Sequence, residues 1–192
     1  MKIALFGGTF DPVHKGHVNA AKEVVRQGLV EEVWFIPVKW HAFKENLEIT
    51  DLVHRKKMIE LAIEGIPGLK LVDLDENPTY TIDTLLEIKK RFPENSYFWL
   101  MGTNLVREFS SWKQPERILQ EAKLILFPVS GLENEESELI EQSNPVRVSA
   151  SPIELSSSKV RERLRDGENV SGLVSDNVLA YIEENGLYKD KK

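Results

Sequence analysis

The residues best suited to chemistry lie in one short segment near the amino terminus, GGTFDPVHKGH over residues 7–17. His14 and His17 are three residues apart, so a helix would place them on one face. Two imidazole N–H groups at this spacing can donate to a phosphoryl group whose negative charge grows in a transition state. The opening glycines, Gly7 and Gly8, let the backbone approach a ligand because they lack a Cβ. The segment therefore predicts a site for a phosphorylated ligand.

This segment contains neither of two common nucleotide-binding motifs, the GxxxxGK(S/T) of a P-loop and the GxGxxG of a dinucleotide-binding turn. Taken alone, a Gly-Gly turn is more often a plain connection, and a His-x-x-His pair is more often incidental or a weak metal site. A zinc site is disfavoured because the chain has no cysteine and its other histidines, His41 and His54, lack metal-motif spacing to the pair. We therefore predict no metal site.

The hydrophobic pattern predicts the scaffold that positions this segment. Short apolar runs alternate with longer segments of helical period, which is typical of βα units around a mostly parallel sheet. We expect a Rossmann-like, doubly wound α/β fold with helices on both faces and a C-terminal helical segment, and ligands at the carboxyl ends of its strands. A glutamate-rich stretch, residues 131–144, is predicted to be an exposed loop. The predicted strands are 3–6, 33–37, 69–74, 97–101 and 124–129, and the predicted helices are 15–27, 51–64, 81–91, 114–120, 156–165 and 175–185.

Length and composition favour one globular domain, since 41% of the 192 residues are hydrophobic and 29% are charged. We predict a single domain over residues 1–188 and a solvated tail over 189–192. The formal net charge of −6 argues against a general nucleic-acid or anionic-membrane binder. Absent cysteine excludes disulfides and a thiol nucleophile. No apolar run approaches the roughly 20 residues of a membrane-spanning helix, and no secretory signal is recognisable, so we expect a cytoplasmic protein.

Three further segments carry side chains suited to phosphates or flat rings. Serines at 156–158 begin a predicted helix whose amides can hold phosphate oxygens, and Arg161 adds a planar, permanently charged fork one turn along. Tyr80 and Thr81 stand at another helix start, where backbone N–H groups can bind a small carboxylate. Trp112 can stack on a flat aromatic ring. Singly, these features are more simply a capped helix, a solvated arginine and a packing aromatic.

The first segment resembles the GGTFDPxHxGH signature of the HxGH nucleotidyltransferases, in the full form found in bacterial nicotinate-nucleotide adenylyltransferases. Residues 80–85 are similar to that family's SYTxDTL segment, residues 102–112 to its GADxxxxFxxW segment, and residues 155–161 to its ISSTxxR motif. The closing Gly186-Leu187-Tyr188 also resembles the family's C-terminal tail. These matches occur in the expected order over nearly the whole chain.

The resemblance implies transfer of AMP from ATP to nicotinate mononucleotide, with release of pyrophosphate and with Mg²⁺ carried on ATP. No strong base is required, because a phosphate monoester whose second pKa is about 6 is already nearly a dianion. On this resemblance His14 and His17 are the catalytic residues. The residues assigned to ATP are Gly7, Gly8, Thr9, Phe10, Ser156, Ser157, Ser158 and Arg161. The residues assigned to the acceptor are Lys44, Tyr80, Thr81, Gly102, Asn104 and Trp112.

Several positions depart from the family pattern. Residues 41–44 retain only the lysine of the usual Pro-Pro-His-Lys, and Asn104 replaces an aspartate. Lys159 stands where an acidic residue is frequent, and Ser175 replaces a proline. Arg55, on the predicted second helix, carries no assignment. These changes keep the phosphate-binding residues but blur the identity of the acceptor.

Other functions therefore stay open at this point. Nicotinamide mononucleotide and phosphopantetheine are alternative acceptors, although the pyridine-site segments disfavour the second. A nucleotide-binding sensor that keeps the pocket but not turnover is an alternative from a different class. The expected partners are two small molecules, with no nucleic acid and no membrane, and the oligomeric state is left open.

Overall fold

The computed structural model describes residues 1–38, 49–74 and 80–189. These residues contain six strands: β1 (Lys2–Gly8), β2 (Glu32–Pro37), β3 (Leu69–Leu71), β4 (Ser96–Gly102), β5 (Lys123–Phe127) and β6 (Val146–Arg147). They also contain seven α-helices: α1 (Lys15–Arg26), α2 (Leu52–Ile63), α3 (Thr81–Arg91), α4 (Pro115–Glu121), α5 (Glu138–Gln142), α6 (Ser157–Arg165) and α7 (Asp176–Glu184). Short 3₁₀ turns at Thr103–Leu105 and Phe109–Ser111 follow β4.

All six strands pair in parallel, in the order β3-β2-β1-β4-β5-β6. The chain builds β1, β2 and β3 outward in one direction and then returns to place β4 on the other side of β1. Ligand crevices in open parallel sheets form at such a reversal, outside the carboxyl ends of the strands. The segment that follows β1 is therefore in the position where a ligand site is expected.

Helices cover both faces of the sheet, and the period-2 alternation of strand side chains explains this. On β1, Ala4 belongs to one core, whereas Ile3 and Leu5 belong to the other. The first core contains buried residues of α1, α2, α6 and α7, and the second contains buried residues of α3, α4 and α5. The predicted doubly wound α/β class is thus confirmed, with a sheet that is wholly parallel over the described residues.

The structure corrects two of the predicted elements. The third strand ends at Leu71 rather than at residue 74. The predicted loop over residues 131–144 contains the one-turn helix α5, and Ile140 on that helix is fully buried in the second core. The glutamates that suggested a loop stay at the surface, where Glu141 pairs with Arg147 at 2.5 Å. One apolar turn between glutamates is too short to show a helical period.

The serine caps predicted for the last two helices are present. The Ser156 hydroxyl accepts from the Lys159 N–H at 3.3 Å, and the Ser175 hydroxyl accepts from the Val178 N–H at 3.4 Å. Asp51 occupies the cap position of α2 without a side-chain hydrogen bond. Within the described ranges, none of the helices has both the length and the apolar character needed to cross a membrane.

Candidate active site

The segment over residues 7–17, hereafter the signature loop, leaves β1 and enters α1. Its glycines are required by close packing. A Cβ on Gly7 would lie 2.7 Å from ring carbons of Trp99, and a Cβ on Gly8 would lie 3.0 Å from the Phe10 ring. Gly16 is similarly confined, because its Cβ would lie 2.7 Å from Ile153 and 2.9 Å from the Nδ1 atom of His14. Side chains at these positions would displace the loop.

His14 and His17 form a reciprocal capping box at the start of α1. The Nδ1 atom of His14 accepts from the His17 backbone N–H at 3.3 Å, and the Nδ1 atom of His17 accepts from the His14 backbone N–H at 3.2 Å. The two rings stack with centroids 3.6 Å apart. Because each Nδ1 is an acceptor, the proton of each neutral ring lies on Nε2. The pair therefore offers two Nε2–H donors.

Both histidines are neutral at physiological pH. Burial lowers the pKa of His14 from its ordinary 6.5 to about 4, and the side chain is only 4% exposed. Burial also lowers the pKa of His17 well below its ordinary value, and the neighbouring His14 lowers it further. The two rings are consequently neutral rather than positively charged.

Helix α6 holds the signature loop through two side chains that the sequence assigned to ATP. The Nη1 atom of Arg161 donates to the Asp11 carbonyl at 2.6 Å, and its Nη2 atom donates to the Ser158 hydroxyl at 3.4 Å. The Ser157 hydroxyl donates to the Pro12 carbonyl at 2.9 Å. These residues thus lie beside the histidine loop, and two of them fix its backbone.

Sequence reasoning left Arg55 unassigned, yet it is the largest fully buried side chain, at 1% exposure. Its Nε atom donates to the Thr50 carbonyl, and its Nη1 atom donates to the carbonyls of Thr9 and Val38, all at 2.7–2.8 Å. Burial lowers the pKa of the guanidinium, and Asp11 opposes that shift. The sequence held a signal for this burial. Met58 lies three residues after Arg55 on α2, so the two share a helix face, and Met58 is on the buried apolar face.

A cavity of about 620 Å³ lies at the carboxyl ends of β1 and β4. It collects four of the six predicted acceptor residues together with the two opening glycines of the signature loop, namely Tyr80, Thr81, Gly102, Trp112, Gly7 and Gly8. Of the other two, Asn104 is exposed with its side chain against Gly102, outside the cavity lining, and Lys44 lies outside the described residues. The predicted acceptor residues are thus largely brought together.

The rim of this cavity carries a cation that the sequence analysis missed. The Nζ atom of Lys113 pairs with Asp83 at 2.8 Å and lies 4.7 Å from the centroid of the Tyr80 ring. Its neighbour Trp112 packs on Phe109 at a centroid distance of 5.2 Å. The sequence held a signal for this cation, because Lys113 directly follows Trp112, the residue predicted to stack on a ring.

A second cavity, of about 540 Å³, opens between the start of α1 and α6. Lys15 and Gly16 line it from the signature loop, and Lys159 and Arg163 line it from α6. The structure thus places basic side chains on both sides of a cleft that no sequence prediction described. The departure at Lys159 contributes to this positive charge.

Comparison with known proteins agrees with this geometry. The model of the cytidylyltransferase-like family matches residues 5–163. The nicotinate-nucleotide adenylyltransferase of Bacillus subtilis strain 168 is 35% identical over 98% of both chains. The chain belongs to the nicotinate-nucleotide adenylyltransferase family. A second member, the probable nicotinate-nucleotide adenylyltransferase of Dehalococcoides mccartyi, is 33% identical over 98% of this chain and 97% of its own.

Solved structures share the fold of this chain. The Plasmodium falciparum nicotinic acid mononucleotide adenylyltransferase complexed with NaAD superposes with a TM-score of 0.81 over 97% of both chains, at 21% identity. The same enzyme complexed with APC gives a TM-score of 0.78 over 97% of this chain and 96% of its own. This nicotinate-nucleotide adenylyltransferase family member therefore shares its overall fold with both structures.

Among residues 1–38, 49–74 and 80–189, no three side chains of histidine, aspartate or glutamate are grouped so that they could hold a metal ion.

Proposed function

We propose that the protein transfers AMP from ATP to nicotinate mononucleotide, producing nicotinate adenine dinucleotide and pyrophosphate in NAD biosynthesis. The observation that carries this proposal is the position of the signature loop between two cavities. Gly7 and Gly8 line the cavity of about 620 Å³, hereafter the aromatic cavity, and Lys15 and Gly16 line the cavity of about 540 Å³, hereafter the basic cavity. His14 and His17 flank Lys15 and Gly16 in the chain and line neither cavity. Volumes of this size fit nucleotide-sized ligands.

The aromatic cavity suits the pyridine end of the acceptor. Trp112 offers a half-buried ring for stacking. Helix α3 begins beside it, and the Tyr80 side chain at its cap position makes no capping hydrogen bond. The first N–H groups of α3 and the positive end of its dipole can therefore receive a carboxylate. Nicotinate carries such a carboxylate, whereas nicotinamide carries a neutral amide.

The basic cavity suits ATP. Three basic residues, Lys15, Lys159 and Arg163, line it together with one acidic residue, Glu154. We assign the Nε2–H groups of His14 and His17 to oxygens of the α-phosphate, where negative charge increases during transfer. We also propose that Mg²⁺ enters as part of the ATP substrate and offsets charge on the leaving pyrophosphate.

In the proposed reaction, a phosphate oxygen of the acceptor attacks the α-phosphorus of ATP in line with the departing group. The new P–O bond forms as the bond between the α-phosphorus and the oxygen bridging to the β-phosphate breaks. Pyrophosphate leaves with the electron pair, and no covalent enzyme intermediate forms. The protein contributes alignment of two polyanions and electrostatic stabilisation.

Pyrophosphate release from MgATP tests this function in parallel reactions with nicotinate mononucleotide, nicotinamide mononucleotide and phosphopantetheine. We expect rapid release with nicotinate mononucleotide. Nucleotide binding without pyrophosphate release in the presence of any of the three acceptors would instead support the sensor alternative. A cytoplasmic location stays a prediction from the sequence, and no partner beyond the two small substrates is proposed.

A further inference from the structure

The carboxyl-terminal segment reaches back to the signature loop. The Tyr188 hydroxyl donates to the Oδ1 atom of Asp11 at 2.6 Å, across 177 positions of sequence. The Oδ2 atom of the same carboxylate accepts from the Thr50 backbone N–H at 3.3 Å. Asp11 is only 3% exposed and lines neither cavity. The tyrosine therefore contacts the buried side of the loop, outside both cavities.

The backbone at both ends of this contact is in an unfavourable conformation. Tyr188 has a φ of 62°, and Phe10, which precedes Asp11, has a φ of 48°. Residues with a Cβ avoid this left-handed region because the Cβ crowds a carbonyl oxygen. Such conformations persist where surrounding contacts hold them, and they concentrate at functional sites. The hydrogen bond between Tyr188 and Asp11 is one of the contacts around these two left-handed residues, Tyr188 and Phe10.

Phe10 connects this contact to the histidines. Its ring is 2% exposed and meets the His17 ring edge-to-face at a centroid distance of 5.0 Å. It also packs on Phe6 and Phe35, each at 5.4 Å. Because the interior is closely packed, a shift of the backbone at Asp11 moves the Phe10 ring and changes the wall against which His17 rests.

Burial and the charges around Asp11 favour Tyr188 as the donor and Asp11 as the acceptor in their hydrogen bond. The buried guanidinium of Arg55 interacts with the Asp11 charge, and Arg161 donates to the Asp11 carbonyl. Burial raises the pKa of the Tyr188 hydroxyl, and the Asp11 charge raises it further, so the hydroxyl stays protonated and donates. Removing that hydroxyl would leave a buried carboxylate oxygen without its shortest hydrogen bond.

We propose that Tyr188 is a positioning residue for the adenylyl transfer, holding Asp11 and Phe10 so that His17 presents its Nε2–H to the substrate. This inference rests on the proposed function. Tyr188 touches neither cavity, so its effect is transmitted through the signature loop. The alternative is that the contact only secures the end of the chain, in which case its loss would lower stability alone.

The test compares Tyr188→Phe with a matched control, Tyr181→Phe. Tyr181 lies on α7, only seven positions earlier, and its hydroxyl shares a 2.9 Å hydrogen bond with the Nδ1 atom of His54, outside the signature loop. Each substitution deletes one hydroxyl and keeps the ring. The measurements are kcat, the KM for each substrate, the melting temperature, and the NMR signals of the His14 and His17 ring protons.

We expect Tyr188→Phe to lower kcat by roughly 10- to 100-fold, the range that small misplacements of reacting groups produce, with both KM values within about twofold. The histidine ring signals should shift in Tyr188→Phe and stay unchanged in Tyr181→Phe, and the two melting temperatures should be similar. Unchanged kcat in Tyr188→Phe, or equal losses in both variants, would overturn the inference. A wild-type protein inactive with every acceptor would refute the proposed function instead, and unshifted histidine signals would then separately refute the positioning role.

Discussion

The backbone N–H of His14 donates to the ring of His17, and the backbone N–H of His17 donates to the ring of His14. Each ring thus supplies at its Nδ1 atom the acceptor that the start of α1 requires. A proton added at Nδ1 would remove that acceptor and set two N–H groups against each other. The same bonds that orient the Nε2–H donors therefore also keep both rings neutral.

Stability should fall in mild acid because of this arrangement. The pKa of His14 is lowered from 6.5 to about 4 in the folded protein, so between these values the unfolded chain binds more protons. The contribution of His14 to the free energy of unfolding is complete above pH 6.5, decreases as the pH falls toward 4, and changes no further below pH 4. Its size is about 3.5 kcal/mol, since the pKa is lowered by about 2.5 and one pKa unit corresponds to about 1.4 kcal/mol. Urea unfolding at pH 7.5, 6, 5 and 4 measures it.

His14→Asn provides the control for this acid effect, because asparagine caps a helix through its side-chain oxygen and does not titrate. The free energy of unfolding of this variant should depend less on pH over the same range. An identical pH dependence in the two proteins would show that His14 is not responsible.

His17→Ala should lower the rate of adenylyl transfer by about 10²–10³, which corresponds to roughly 2.7–4 kcal/mol for one preorganised donor. The variant should still fold, since losing the Nδ1 acceptor costs about 0.5–1.5 kcal/mol. Single-turnover measurement of pyrophosphate release tests the rate. His54→Ala removes an imidazole that bonds Tyr181 away from the loop and should keep the wild-type rate. A folded His17→Ala protein with wild-type turnover would exclude a catalytic role.

Arg161→Ala should damage ATP use and turnover together. The guanidinium donates to the Asp11 carbonyl, so its removal both deletes a positive charge beside the signature loop and loosens that loop. Hydrogen bonds to a charged partner contribute about 1.5–3 kcal/mol, so we expect a loss in kcat/KM for ATP of roughly 10- to 150-fold. Ser157→Ala, which removes a neutral hydrogen bond to the Pro12 carbonyl, should cost less.

Arg165→Ala is the appropriate comparison for these two variants, because Arg165 is an exposed residue in the last turn of the same helix. In steady-state kinetics at saturating acceptor, the kcat/KM of this variant for ATP should equal that of the wild type. If Arg161→Ala also keeps the wild-type kcat/KM for ATP, the contact with Asp11 serves stability only.

The sequence predicted most of the scaffold because parallel strands buried on both faces appear as continuous apolar runs, as in Val33–Phe35. It did not predict β6, whose two residues, Val146 and Arg147, are too few to show a pattern. Periodicity likewise missed the fold of the chain around Ile140, where a single turn is buried.

The site was predictable only in part, for a different reason. His14, Gly16 and His17 act within one helix start, so their local spacing already indicated a site. Contacts between distant segments, such as Tyr188 with Asp11, depend on how the whole chain packs and leave no local pattern. The burial of Arg55 was predictable in part. Its apolar neighbours on α2 indicated a buried face, but its carbonyl partners, Thr9 and Val38, lie on other segments and could not be predicted.

The last prediction concerns the acceptor, for which kcat/KM should be about 10- to 150-fold higher with nicotinate mononucleotide than with nicotinamide mononucleotide. This range corresponds to charge-assisted hydrogen bonds of about 1.5–3 kcal/mol between the carboxylate and the N–H groups at the start of α3. The amide NH₂ would face donors there, which adds repulsion. Trp112→Leu should weaken both acceptors by a similar factor and keep their ratio, because stacking on the Trp112 ring does not depend on the acid or amide group. Competition between the two mononucleotides at fixed MgATP measures the ratio directly, and equal or reversed values would make nicotinamide mononucleotide the better assignment.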